Sequence, residues 1–155
     1  MPDLLTEDAS GVYIIAATPF KSSGAIDYSS VDSLLEFYID KGVTGITILG
    51  MMGEANKMSI REAQEFTDYA AKRVGGRVPI VVGISDPGIS NLVNLSKSSM
   101  DAGCSGVMIA PPTGLKTEEN IYKYFDTVFR ALGDGVPVCY QDYPQSTEVF
   151  ISADC

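Results

Sequence analysis

The sequence contains no histidine and no tryptophan, only three cysteines, and 11 basic residues against 20 acidic ones. Without histidine there is no Ser-His-Asp triad and no His-rich metal centre. The deficit of Lys and Arg leaves a net charge of −9. That excludes the basic surface with which nucleic-acid binders neutralise phosphates, and it disfavours adsorption to anionic membranes. Cys104, Cys139 and Cys155 are odd in number and lack metal-ligand spacing. Cys104 and Cys139, in or beside apolar segments, are expected to be buried, reduced thiols. The acidic residues show no ligand spacing either, so neither a metal nor a cofactor is expected. Apolar runs such as Val12–Ala17 and Ile46–Leu49 fall far short of the ~18 residues of a membrane span. The acidic N-terminus lacks the basic start and apolar run of a signal peptide, so a cytoplasmic location is expected.

What remains is globular in composition: 45% hydrophobic and 20% charged over 155 residues, a length that suits a single domain. Short apolar runs alternate with longer amphipathic ones. Strands are expected at Val12–Ala17, Gly45–Leu49, Val78–Gly83, Gly106–Ala110 and Val136–Tyr140. Between them, Asp27 caps a helix in which Val31, Leu34, Leu35, Tyr38 and Ile39 recur at helical spacing, ended by Gly42. Ser59 and Glu62 form a capping box that opens a helix over Ile60–Val74. Ile89–Ala102 reads as a helix closed by Gly103. Thr117 caps a fourth that runs to Leu132 and buries Ile121, Phe125, Val128 and Phe129. No pattern is clear after Pro144. The strands are continuously apolar rather than alternating, as in a parallel sheet covered by helices.

A repeat sharpens the architecture. The stretch Asp40–Leu49 resembles Asp101–Ala110, and Arg77–Val81 resembles Gly135–Cys139, each about 60 residues on. A βαβα unit occurring twice, four of which close a (β/α)8 barrel of about 250 residues, predicts the first five β/α units of such a barrel, with strand order 1-2-3-4-5. An open doubly wound sheet is the alternative. Five strands do not close an eight-stranded barrel, so 1–155 reads as a single, incomplete barrel domain.

Active sites of barrels lie where strands end at their C-terminal side. The segments there are Thr18–Phe20, Gly50–Glu54, Ser85–Pro87, Pro111–Thr113 and Gln141–Pro144. Gly50-Met51-Met52-Gly53-Glu54 stands out, because two glycines bracket two residues at a strand end and let backbone N–H groups turn towards a carboxylate or phosphate. It is not a P-loop, since no Gly-Lys-Ser/Thr follows. Glu54 is a candidate base or a surface carboxylate. At the fifth strand end, a tyrosine could relay a proton or simply pack in the core.

The ordered motifs G-V-Y-I-I-A-A-T-P-F-(x)6-D (Gly11–Asp27), G-x-x-G-E (Gly50–Glu54), P-I-V-V-G (Pro79–Gly83) and Q-D-Y-P (Gln141–Pro144) resemble the dihydrodipicolinate synthase / N-acetylneuraminate lyase family. The resemblance runs from about Gly11 to Thr147. It implies a homotetrameric (β/α)8 barrel. It also implies a class I aldolase or lyase whose strand-six lysine forms a Schiff base with pyruvate or another 2-oxo acid. Gly50, Met51, Met52, Gly53 and Glu54 would then bind the substrate carboxylate, and the relay tyrosine falls at Gln141, with Tyr140 one residue too early. A one-residue shift turns a strand side chain to the other face. Other positions also depart from the synthase pattern. Met51-Met52 stand for a Thr-Thr pair, Pro112-Thr113 for a Tyr-Tyr pair, and Ser146 for an arginine that grips an aldehyde's carboxylate. The resemblance therefore points to a divergent lyase or aldolase, with a non-catalytic small-carboxylate-binding relative of the same fold as the alternative. Lys21, Lys41, Lys57, Lys72, Lys97, Lys116 and Lys123 all fall in loops or on helices. The Schiff-base lysine is thus expected beyond this chain, which alone should be inactive.

Overall fold

In a computed structural model that describes residues 4–153 and 155, five parallel strands alternate with helices. The strands are β1 (Tyr13–Ile15), β2 (Gly45–Ile48), β3 (Ile80–Gly83), β4 (Gly106–Ile109) and β5 (Val138–Tyr140). The helices are α1 (Tyr28–Asp40), α2 (Ile60–Val74), α3 (Ile89–Asp101), α4 (Glu118–Leu132) and a single turn, α5 (Pro144–Thr147). A short 3-10 turn spans Ala55–Lys57. The sheet order is β1-β2-β3-β4-β5, every pair parallel. This is the order expected for the first part of a (β/α)8 barrel, and it excludes the doubly wound alternative, whose order reverses at a switch point.

The local signals explain where each helix begins. The Asp27 carboxylate accepts from the Ser30 N–H at 3.4 Å, and the Thr117 hydroxyl oxygen accepts from the Asn120 N–H at 3.3 Å. At α2 the capping box is complete. Ser59 N–H donates to Glu62 at 2.8 Å, and Glu62 N–H donates to the Ser59 hydroxyl at 3.2 Å. Each pairing satisfies a backbone donor that the first helical turn leaves free.

Alternation along the strands sorts residues between two faces. Ile46, Ile48, Val82, Val107 and Ile109 pack with Leu35, Phe66, Leu92 and Val128 of the helices into one buried cluster. Thr47, Val81 and Met108 are also buried but lie outside that cluster, on the other face of the sheet. Both faces of β2, β3 and β4 are therefore covered, which is why these strands are apolar throughout.

The edges differ from the sequence expectation. β1 is three residues rather than six, and Val12 is 63% exposed with its N–H bonded to the Thr44 hydroxyl at 3.0 Å. Expected as buried, Phe125 is only half-buried and Phe129 is 48% exposed. Both lie on the side of α4 that passes beyond edge strand β5, where Phe125 meets the Tyr140 ring edge-on at 5.5 Å between centroids. Cys104 is buried, and burial pushes its thiol up to about 12. The pairing of Cys139 with Cys104 as a second buried thiol does not hold. Cys139 is exposed, because it sits on β5 with a neighbouring strand on one side only.

Candidate functional site

The turn after β2 is shaped by a left-handed residue. Leu49 has φ 55°, is buried, and ends β2 one residue earlier than its apolar run suggests. Its carbonyl folds over β3, so a Cβ on Gly83 would lie 2.2 Å from the Leu49 oxygen. Only glycine fits beneath this crossing. From Gly50 the chain winds in successive tight turns. Gly53 N–H donates to the Gly50 carbonyl at 3.0 Å, Glu54 N–H to Met51 at 3.1 Å, and Lys57 N–H to Glu54 at 2.8 Å. Such winding spends the later donors and leaves the first ones free, as at a helix start. The N–H groups of Met51 and Met52 have no acceptor among the described residues. The buried Thr18 hydroxyl, at the end of β1, donates to the Gly53 carbonyl at 2.7 Å and pins the turn to the sheet.

Gly50 and Met51 open onto a cavity of about 280 Å³ at the C-terminal ends of β2 to β5. Gly83, Met108 and Ala110 supply its apolar floor and wall. Asn56, Ser85, Gln141 and Ser146 supply its polar side chains. All four are neutral. The Ser85 hydroxyl accepts from the Ala110 N–H at 2.9 Å, which ties the β3 and β4 ends together. Gln141 is held by its own N–H, which donates to the Ile109 carbonyl at 2.9 Å.

The residues singled out from the sequence separate. Gly50, Met51 and Gln141 share the cavity. Met52 is 65% exposed and lines no part of it; its free N–H follows that of Met51 along the turn. Gly53 is buried and its N–H is already committed to Gly50, which removes it from the set of free donors. Glu54 has φ 53°, is exposed, and pairs with Lys57 at 3.3 Å, away from the cavity. Tyr140, the other candidate beside Gln141, faces the opposite side of β5, against Phe125, because adjacent strand residues alternate. Burial, and then Asp142, raises its phenol above the usual value. Sequence reasoning assigns no role to Thr18, Leu49, Ser85 or Asn56. The signal available for two of them is a hydroxyl at a strand end. Nothing local marks Leu49, an ordinary apolar residue in an unusual conformation. All seven lysines are exposed and none lines the cavity.

An ordered parallel sheet, helices over one face and a cavity at the strand C-termini define a protein of the (β/α)-barrel class. Residues 8–154 match the model of the dihydrodipicolinate synthetase family, and the chain belongs to that family. A crystal structure of dihydrodipicolinate synthase from Rhodopseudomonas palustris superposes with a TM-score of 0.92 at 43% identity, covering 97% of this chain and 50% of that one. An uncharacterized DapA-like lyase of Rhizobium meliloti is 32% identical over 97% of this chain and 49% of its own length. YagE, a prophage protein of the same family from E. coli K12 crystallised in complex with pyruvate, aligns with a TM-score of 0.81 at 26% identity, covering 89% of this chain and 46% of that chain. The chain thus spans about half the length of these relatives.

Proposed function

We propose that this chain supplies the carboxylate-binding part of a Schiff-base-forming carbon–carbon lyase or aldolase acting on pyruvate or another 2-oxo acid. The observation that carries the reading is the pair of unspent N–H groups at Met51 and Met52, beside a cavity lined by neutral side chains. Two backbone donors held by Thr18 and the Gly83 crossing hydrogen-bond a carboxylate without reorganising, and the apolar floor strengthens the interaction by excluding water. The YagE complex with pyruvate adds weight by family kinship.

The family resemblance assigns the nucleophile to a lysine on a sixth strand, whose amine condenses with the ketone and releases water. This chain's part is then to hold the carboxylate at the β2 turn and to direct the ketone across the cavity. Gln141 and Ser85 would orient the substrate's oxygen atoms through neutral hydrogen bonds. The lysines of this chain are exposed and none lines the cavity, so none stands where a ketone anchored at the β2 turn would lie.

Titration of 15N-labelled chain with pyruvate tests the reading. The amides of Met51 and Met52 should shift first and saturate together; saturating shifts confined to other regions would overturn it. Borohydride reduction with pyruvate should leave the mass of this chain unchanged, whereas a protein extended through the sixth strand should gain one adduct. One observation favours a second reading, that of a non-catalytic carboxylate binder: none of the side chains lining the cavity titrates near neutral pH. An extended protein that binds pyruvate without forming an adduct would support it.

A further inference from the structure

Three strand ends meet around Ser85. The parallel register of β3 and β4 runs out at the Gly83–Met108 pair, and just beyond it the Ile84 N–H donates to the Met108 carbonyl at 3.0 Å. Two residues further along, the Ala110 N–H donates to the Ser85 hydroxyl oxygen instead of to a backbone carbonyl, at 2.9 Å. This bond holds the hydroxyl oxygen between Ser85 and Ala110, two residues that both line the cavity. On its other side β3 lies against the β2 turn, since a Cβ on Gly83 would stand 3.1 Å from the Gly50 nitrogen. Ser85 and Met51, which follow closely on these two glycines, open onto the same space.

A hydroxyl carries one donor and two acceptor sites. At Ser85 one acceptor site is taken by Ala110, while the O–H has no acceptor among the described residues. The residue is exposed, so that donor is open to a ligand. Of the four polar side chains lining the cavity, Ser85 alone is held by a hydrogen bond among the described residues.

We propose that Ser85 is a further substrate-binding residue, whose hydroxyl donates to the carboxylate received by the Met51 and Met52 N–H groups. The inference rests on the carboxylate reading of the β2 turn. An ionised carboxylate offers two oxygens and about four lone-pair sites, which two N–H groups on successive residues leave partly unfilled. The Ser85 O–H comes from the β3 side and needs little reorganisation, because Ala110 already sets the place of its oxygen. Accepting from Ala110 also polarises the hydroxyl and makes it a better donor. A carboxylate held from two strand ends cannot swing about a single anchor, so the ketone beside it is given one direction in the cavity. The ligand class selected is a small 2-oxo acid in its ionised form. An ester or amide at the same carbon would give the three donors only a neutral, weaker acceptor.

Titration of the 15N-labelled chain with pyruvate tests this. Once the hydroxyl donates to a ligand, its oxygen becomes a stronger acceptor. The Ala110 amide proton should therefore move downfield and saturate together with Met51 and Met52. A serine that only ties β3 to β4 would leave that amide where it is. Ser85→Ala should weaken pyruvate binding about tenfold, the loss of one hydrogen bond to a charged group. Ser85→Thr keeps the hydroxyl and should bind within about twofold of the parent chain. If Ser85→Ala fails to fold, the Ala110 amide of the unaltered chain and the affinity of Ser85→Thr decide. An unmoved Ala110 amide while Met51 and Met52 shift, or full affinity in Ser85→Ala, would overturn the role of Ser85 and leave the carboxylate reading standing. Absence of any shift at Met51 and Met52 would sink the carboxylate reading and this inference with it.

Discussion

The ends of β2 and β5 face one cavity but are built on different principles. At β2 the geometry is made of backbone: Leu49 turns left-handed, Gly83 makes room, Thr18 pins the turn, and the groups offered to a ligand are N–H donors. At β5 the cavity receives a side chain, Gln141, and its neighbour Tyr140 faces away. A backbone site tolerates replacement of the side chains above it, which is how two methionines occupy the turn without filling its donors. A side-chain site on a strand depends on register, and a displacement of one residue removes the group altogether. The two ends therefore diverge by different rules, and a family's chemistry is more easily rewritten at β5 than at β2.

Substitutions separate these rules. The largest effect is expected from Gly83→Val. Its Cβ would fall 2.2 Å from the Leu49 oxygen, a backbone atom that has nowhere to move. A loss of about 3 kcal/mol in urea unfolding is expected, together with loss of the pyruvate-induced shifts at Met51 and Met52. Thr18→Val keeps the shape but leaves the Gly53 carbonyl without its buried partner, at a cost of about 2 kcal/mol and with weaker pyruvate binding. If both variants bind pyruvate normally, the turn does not depend on the support of Gly83 and Thr18.

Acid acts on the helices and should spare the β2 turn. Hydrogen bonding to Arg77 holds the Glu36 carboxyl below its ordinary value, with Arg73 adding to the effect. The Ser59 backbone N–H does the same for Glu62 in the capping box, and the Ser30 side chain does so for Asp27. A carboxylate whose folded pKa is depressed binds protons less readily folded than unfolded. Its contribution is complete above the unfolded value and is lost as pH falls through the folded one. The urea midpoint should therefore drop as pH falls from about 5 to about 3, and Glu36→Gln should show a shallower drop. A midpoint that rises over that range would contradict the depressed pKa of these carboxylates.

The smallest effect is expected from Met52→Ala. Its side chain is exposed, so stability should change by less than about 0.5 kcal/mol, and pyruvate affinity should stay within about twofold. Tyr140→Phe should likewise leave pyruvate binding unchanged, since Tyr140 faces α4. A tenfold loss of affinity in either variant would mean that side chains, and not N–H groups, make the site.

Much of the fold is legible in the chain. α2 runs over Ile60–Val74, the span its capping box and spacing predict, because both signals are local and agree. The order of the strands follows from the repeat and the right-handed crossover rule. The edges are less legible. Apolarity at Val12 and Phe129 reads as burial, yet whether such a residue is covered depends on which element lies beyond it. The site is half legible. Paired glycines at a strand end announce a turn open to an anion, whereas Leu49 carries no mark of the conformation that creates it.

By itself, then, the sequence determined what local chemistry controls: the caps, the helix spans, the glycine turn, and the alternation that sets Gln141 and Tyr140 on opposite faces of β5. Tertiary structure alone decided what depends on distant segments meeting. The Leu49 carbonyl lies over Gly83, 34 positions along the chain, and the Thr18 hydroxyl reaches Gly53 across 35. These contacts spend the Gly53 carbonyl and leave the Met51 and Met52 donors unspent. The physical reason is that a donor's availability is set by which acceptors surround it, and the packed sheet, rather than the residues beside it in sequence, brings those acceptors near.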